Sequence, residues 1–327
     1  MSAETSAASP AVALPRHRPD WLLPLLVLGP AAAGIIIAII VTPTFLTSSN
    51  ILAVVRNAST IGIVAVAMTP MTLSGNFVSL GIAQTAMASM VSFVALLGSG
   101  WNQALAIIVV LIGTIAVGGF QGAVVGAGFN PVITTMAAGA IIFGVVSEIT
   151  RGQIVNVNEH GASWGGGDIG GVPIVVIVFV VFTAIVTLVM SRTVIGRQTI
   201  LVGANRATAE TSGISFARVT VVAFVIFSIG IAIVGILEGA AFGEANAMSF
   251  ANLTISVIAA LLVGGTAISG GQGSPLRSAA GALLISVISN MMVLNDFTPG
   301  GRLAVQGAVV AAAVVILDMF RRRGLRR

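Results

Sequence analysis

The sequence predicts an all-α, polytopic integral membrane protein with about ten transmembrane helices and both termini cytoplasmic. Three observations carry this. Of the 327 residues, 57% are hydrophobic and only 8% charged, whereas soluble domains carry roughly 25% charged residues. The apolar residues fall into runs of about 20, the length that crosses a bilayer as a helix. All 15 basic residues are Arg, and they gather at run ends and at the C-terminus, as a topology signal does.

The runs follow in order. Residues 1–19 are rich in Ala, Ser and Pro, with Arg16 and Arg18 beside the first run. They read as a disordered cytoplasmic tail. A cleavable signal peptide is the alternative, but the run 21–41 is longer than a signal core of roughly 7–15 residues. The second run, 51–69, is entered through Ser48-Ser49-Asn50, a cluster suited to a helix N-cap. Next come 77–97 and 104–125, the latter broken by Gly126, Gly128 and Asn130-Pro131. Run 132–149 precedes a polar, Gly-rich stretch at 151–171, and run 172–190 precedes a second polar stretch at 191–217. The last four runs are 218–237, the short and glycine-ended 253–268, 279–294 and 303–320. Short apolar runs can be re-entrant rather than spanning. Residues 321–327 form a basic tail. Residues 20–320 are therefore one membrane domain, because every loop is under about 30 residues, below the size of a folded domain.

Arginine placement tests the count. With the N-terminus inside, Arg16, Arg18, Arg192, Arg197, Arg206, Arg218, Arg277 and the Arg-rich tail all fall inside. Only Arg56, Arg151 and Arg302 fall outside or near the outer interface. That asymmetry requires an even number of spans. The three Trp residues, Trp21, Trp101 and Trp164, stand at run edges, where amphipathic rings favour the headgroup level.

Several functions are excluded or disfavoured. Without Cys there is no disulfide or thiolate metal site, and His17 and His160 are the only histidines. Without Lys there is no GxxxxGK[ST] phosphate loop, so this chain does not bind ATP in that manner. The run Ile268-Ser269-Gly270-Gly271-Gln272 looks like an ABC ATPase signature. It is better explained as a glycine turn, since the phosphate loop it would serve is missing. No nucleophile elbow, zinc motif or paired carboxylates occur, so catalysis, cofactors and metals are not expected. The net charge of +5 reflects topology and not nucleic-acid binding.

Among the ionisable groups within or bordering runs, Arg56, Glu148 and Glu238 lie near predicted outer ends. Intramembrane charges are costly and point to function by default, but near an interface they can snorkel to water. Uncharged polar groups offer a solute path: Asn57, Ser59 and Thr60 in the second run, Ser74-Gly75-Asn76 after it, and Thr134-Thr135 at the start of the fifth. Hydrogen bonding between helices is the plainer account of each. The stretch 191–217 contains a short polar helix over 205–212, with Asn205 as its cap and Gly213 as its stop. Such a helix is either a connector or a docking element for a soluble partner.

At this loop the chain resembles the permeases of ribose-type ABC importers, within the branched-chain amino acid/ribose permease superfamily. The pattern is carried by Gly196-Arg197, Gly203-Ala204-Asn205, Ala207, Ala209 and Ser212-Gly213-Ile214. Further runs agree. One is Asn50 to Met68-Thr69 with Arg56, Ala58-Ser59 and Gly62-Ile63. Another is Ile258-Ala259-Ala260 through Gly264-Gly265-Thr266, Gly270-Gly271 and Gly273 to Gly281-Ala282-Leu283. Glu238 also falls where the family often has Glu. The likeness extends from about Asn50 to the C-terminus.

The resemblance implies a permease subunit for a sugar or sugar-like solute in a bacterial inner (cytoplasmic) membrane, forming half of a translocation pathway. It implies a second permease subunit, identical or a close relative, an extracytoplasmic solute-binding protein, and a cytoplasmic ABC ATPase that uses ATP and Mg. The ATPase would dock on Gly203, Ala204, Asn205, Arg206, Ala207, Thr208, Glu210, Ser212 and Gly213. The pathway candidates are Asn57, Ser74, Asn76, Thr134 and Glu238. Two departures from the family pattern leave the solute open: Phe77 stands where the family has Asp, and Ser256 where it has an acidic residue. A nucleoside, polyol or branched-chain amino acid is an alternative solute. A secondary transporter or channel working without an ATPase is the alternative mechanism.

Overall fold

The computed structural model describes residues 42, 45–157 and 164–325. The predicted tail at 1–19 and the first span at 21–41 lie outside these residues, and so do the side chains of the basic tail. The described chain is a helical bundle. Its helices are α1 (Ser48–Leu73), α2 (Ile82–Gly98), α3 (Gln103–Gly126), α4 (Pro131–Thr150), α5 (Ile174–Arg192), α6 (Val194–Ala204), α7 (Arg206–Thr211), α8 (Phe216–Phe242), α9 (Leu253–Val263), α10 (Pro275–Leu294) and α11 (Pro299–Leu325). Six of them, α1, α3, α4, α5, α8 and α10, are long and apolar enough to cross a membrane. The chain is thus a polytopic helical membrane protein.

Polar caps start α3, α4, α6, α7 and α8, because the first N–H groups of a helix have no partner within it. Asn102 Oδ1 accepts from Ala104 N–H at 2.9 Å, and Asn130 Oδ1 accepts from Val132 N–H at 2.9 Å. Pro131, first in α4, has no N–H to satisfy. The centre of the bundle is α1 packed on α8. From Ile61 to Leu73 every residue of α1 is buried, and α8 is buried along most of its length. The surrounding helices bury one stripe each. On α4 only Thr135 and Gly139 are buried, and Ile133, Met136, Ile141 and Ile149 are more than half exposed. Such a surface suits lipid or another subunit.

Small residues set the close crossings. Gly118, Gly122 and Gly126 form a row at four-residue spacing on α3 and lie on α8. A Cβ on Gly118 would overlap the Ser228 hydroxyl, one on Gly122 would lie 3.0 Å from Val221 Cα, and one on Gly126 would lie 3.0 Å from Ala217 Cα. Hydrogen bonds join α1 to α10. Asn50 and Asn290 pair through both amides at 3.1 and 2.8 Å, Asn57 Nδ2 donates to Ser286 Oγ at 3.2 Å, and Thr69 Oγ1 donates to Ser278 Oγ at 2.8 Å.

The far end of the bundle, opposite α7, carries short strands. β1 (Val155–Asn156) pairs antiparallel with β4 (Glu244–Ala245), and β2 (Asp168–Ile169) pairs with β3 (Val172–Pro173). A 3₁₀ turn, Trp164–Gly166, seats Gly165 against the Leu237 carbonyl of α8.

Three sequence expectations need correction. The run expected as a helix over 77–97 begins only at Ile82. The apolar residues before it are non-helical, because Gly75 and Phe77 both take positive φ. The run expected over 253–268 is helical only to Val263. Eleven residues reach about 16 Å, short of a hydrocarbon core of about 30 Å. The stretch 191–217 holds two helices instead of one, since α6 precedes the expected short helix.

The glycine row yields a paired test. Gly113, also on α3, has nothing within 4 Å of a built Cβ. Gly118→Leu should destabilise the detergent-solubilised protein by about 1–3 kcal/mol or more, the usual cost of overpacking. Gly113→Leu should leave thermal unfolding unchanged. Equal shifts for both variants would mean that the α3–α8 crossing is not set by the glycine row.

Candidate functional site

α6 and α7 form a bent arm at one end of the bundle. Thr193 Oγ1 accepts from Gly196 N–H at 3.3 Å and starts α6. Asn205 then ends α6 and starts α7, its Oδ1 accepting from Thr208 N–H at 3.1 Å. Gly213 follows at φ 80°, a left-handed turn that an L side chain rarely adopts. Helices shorter than about 12 residues are marginal alone, so six-residue α7 depends on its contacts. Ala209 is the only buried residue of α7. It packs with Val202, Phe216 and Val219.

The rest of α7 faces outward. Of the residues the sequence placed in this surface, Ala204, Asn205, Arg206, Ala207, Thr208, Glu210, Ser212 and Gly213 are exposed, and Gly203 is half-buried. Arg206 Nε donates to Glu210 Oε1 at 2.9 Å, and its guanidinium lies 3.6 Å from the Phe216 ring centroid. An exposed pair of this kind adds little stability, about 0–1 kcal/mol, but with the ring it fixes the Arg206 side chain. Arg206, Glu210, Phe216 and Gly126 line a shallow groove of about 370 Å³.

Beneath the arm the chain leaves α1 and runs non-helically to α2. Ser74 Oγ donates to the Met71 carbonyl at 2.7 Å, and Asn76 Nδ2 donates to Ser74 Oγ and to Thr220 Oγ1, each at 2.9 Å. Ser74 and Asn76 are therefore buried and spent on closing the end of α1 against α8. The segment beyond them takes its partners from hydroxyls. Leu80 N–H donates to Thr135 Oγ1 and Ala83 N–H to Thr254 Oγ1, both at 3.2 Å. Thr135 makes this contact, while its neighbour Thr134 stays partly exposed. Phe77 sits in the segment at φ 34° and is 37% exposed. That backbone is strained for a bulky side chain, at a cost of about 1–3 kcal/mol.

A second polar group lies nearer the far end. Thr60 Oγ1 donates to Glu238 Oε1 at 2.7 Å and links α1 to α8. One turn earlier, Arg56 Nη2 donates to the Gly166 carbonyl at 3.0 Å. Arg56 Nε and Trp164 Nε1 are buried without a hydrogen-bond partner. Asn57 is exposed but bonded to Ser286.

The five pathway candidates thus separate. Ser74, Asn76 and Thr134 lie near the α7 end, and Asn57 and Glu238 lie along the half of α1 away from α7 and at the end of α8. Residues that sequence reasoning passed over join them: Thr220, Thr254, Ser286 and Gly166. Their hydroxyls and carbonyl give no local signal, because each partner is remote in the chain.

The chain matches the family of the branched-chain amino acid transport system permease component over residues 50–315. It is 32% identical to the probable ABC transporter permease protein YphD of Escherichia coli over 286 residues, 86% of this chain and 85% of that protein. It is 28% identical to the ribose import permease protein RbsC of Haemophilus influenzae over 299 residues, 86% of this chain and 89% of that protein. With the L-arabinose transport system permease protein AraH of Escherichia coli it shares 28% identity over 198 residues, 60% of each chain. No solved structure matches it. The chain therefore belongs to the family of branched-chain amino acid transport system permease components, among relatives named as import or transport permeases.

Proposed function

We propose that this chain is the membrane-spanning permease subunit of an ATP-binding-cassette importer for a sugar or sugar-like solute. It sits in a bacterial inner membrane, crosses it about ten times with both ends inside, and forms half of the pathway with a second permease subunit. A solute-binding protein delivers the solute on the outer side. A separate ATPase, using ATP and Mg, drives the cycle from the inner side.

The observation that carries this reading is α7. It is a short, capped, outward-facing helix with one buried anchor and a groove beside it. Such an element stores little stability of its own, and its exposed polar face suits a soluble partner. The relatives' names supply the mechanism class, and those that specify a solute name ribose or arabinose. The largely bare α4 offers surface for lipid or a second subunit. Glu238, joined to Thr60, supplies a carboxylate of the kind that accepts from the hydroxyls of a neutral polyhydroxy solute.

Reconstitution separates this reading from a transporter that works alone. Proteoliposomes holding the chain and its ATPase should take up the solute only with ATP on the ATPase side. Uptake by the chain alone down an ion gradient would contradict the proposal. The absence of Cys makes single-Cys labelling direct. A Cys at Ala207 or Thr208 should react with an impermeant maleimide only from the cytoplasmic side and should be shielded by the bound ATPase. Labelling from outside alone would overturn both the topology and the docking surface. Asn205→Ala removes the α7 cap, a loss of about 1 kcal/mol. It should lower ATP-dependent uptake about fivefold while leaving thermal unfolding nearly unchanged.

A further inference from the structure

Three segments meet at backbone distance under α7. Leu73, the last residue of α1, accepts a hydrogen bond at its carbonyl from Gly271 N–H at 2.9 Å. Gly203, in the last turn of α6, lies so close that a Cβ there would overlap the same Leu73 carbonyl and sit 2.7 Å from Gly271 N. A Cβ on Gly270 would lie 2.8 Å from Gly75 Cα and 3.0 Å from the Gly203 carbonyl oxygen. One on Gly271 would lie 3.0 Å from Ala204 Cα. No side chain separates the three backbones.

The loop that supplies Gly270 and Gly271 is itself tied down. Ala267 N–H donates to the Gln272 carbonyl at 2.8 Å, and Thr266 Oγ1 and Ser278 Oγ share a hydrogen bond at 3.2 Å. Ser278 also accepts from Thr69 of α1. Gly270 and Gly271 take φ 85° and 73°, where L side chains are rarely found. The Ile268–Gln272 motif, which looks like an ATPase signature, is thus a turn shaped to reach α1 and α6.

The other side of the arm is held differently. Beyond the turn 212–215 that joins the two helices, its contact with α8 is made by side chains: Ala209 and Val202 on Phe216 and Val219, and Arg206 over the Phe216 ring. Interfaces of packed side chains shear by small rotamer adjustments. A backbone contact with a hydrogen bond and no side-chain layer has no such slack, because close-packed atoms that cannot rotate must move together.

We infer that residues 73–75, 203–204 and 270–271 form one rigid joint that carries displacement of α7 to α1 and to the α9–α10 loop, while the contact between α7 and α8 slides. This rests on the reading that α7 receives the motion of an ATPase. It assigns Gly203, Gly270 and Gly271 as positioning residues, and it makes central helix α1 the first membrane element to respond.

The experiment compares two crosslinks in the reconstituted transporter with its ATPase. Thr69→Cys with Ser278→Cys joins α1 to the start of α10 beside the joint, where the two hydroxyls lie 2.8 Å apart, and Glu210→Cys with Ala217→Cys bridges the groove between α7 and α8. Each pair is joined by a short bifunctional thiol reagent and compared with its own uncrosslinked form. Locking the joint should leave ATP-dependent uptake within about twofold, and locking the groove should reduce it about tenfold or more, since only the second interface slides. Uptake abolished by the 69–278 crosslink, or unaffected by the 210–217 crosslink, would overturn the inference alone. A parent chain with no ATP-dependent uptake would overturn the transport reading and the inference with it.

Discussion

The structure depends on one constraint: inside a bilayer no water is present to satisfy a backbone N–H or C=O. A helix meets that condition within itself, so most of the chain is helix. Wherever the chain leaves the helical path, something else must supply the partner. Between α1 and α2 the hydroxyls of Thr135 and Thr254 accept from Leu80 and Ala83. Between α9 and α10 the Leu73 carbonyl accepts from Gly271, and Gln272 accepts from Ala267. Irregular backbone in a membrane protein is tolerated only where it is buried in protein or lines a cavity. Both irregular segments border α1, one of the two central helices.

The same constraint explains how the bundle is divided. α1 and α8 are buried, and polar side chains such as Thr60, Asn57 and Thr69 link α1 to α8 or to α10. The outer helices keep apolar faces open and approach the centre through glycine, as α3 does on α8. Lipid gives helices no hydrophobic reason to associate, so close van der Waals contact and hydrogen bonds must do it. The proposed motion falls where the contacts are soft. The α7 arm touches α8 through side chains, whereas at Leu73, Gly203 and Gly271 it meets α1 and the α9–α10 loop at backbone distance.

Local chemistry made part of this legible from sequence. The apolar runs gave α1, α3, α4, α5, α8 and α10 close to their observed bounds. Asn205 and Gly213 marked α7, because a cap and a left-handed stop act within a few residues. α6 was hidden, because Gly196, Gln198 and Thr199 give it the polarity of a loop, although Thr193 three residues before Gly196 was a usable cap signal. The break before α2 was hidden too, because Phe77, Val78 and Leu80 sustain the hydropathy of a span. Asn76 was noticed as a polar residue, but its partner Thr220 is 144 positions away. Polar residues therefore announced themselves, while whether each served a pathway or a helix contact depended on neighbours that no local pattern encodes.

Hydrogen–deuterium exchange in lipid nanodiscs, read over residues 76–83, tests the account most directly. Leu80, Gly81 and Ala83 donate to side-chain hydroxyls, so this segment should exchange slowly at rest despite being non-helical. With the ATPase bound and turning over ATP, exchange there should rise as α1 moves. Fast exchange at rest would contradict the internal satisfaction of its backbone, and exchange that is slow in both states would contradict its coupling to the α7 arm.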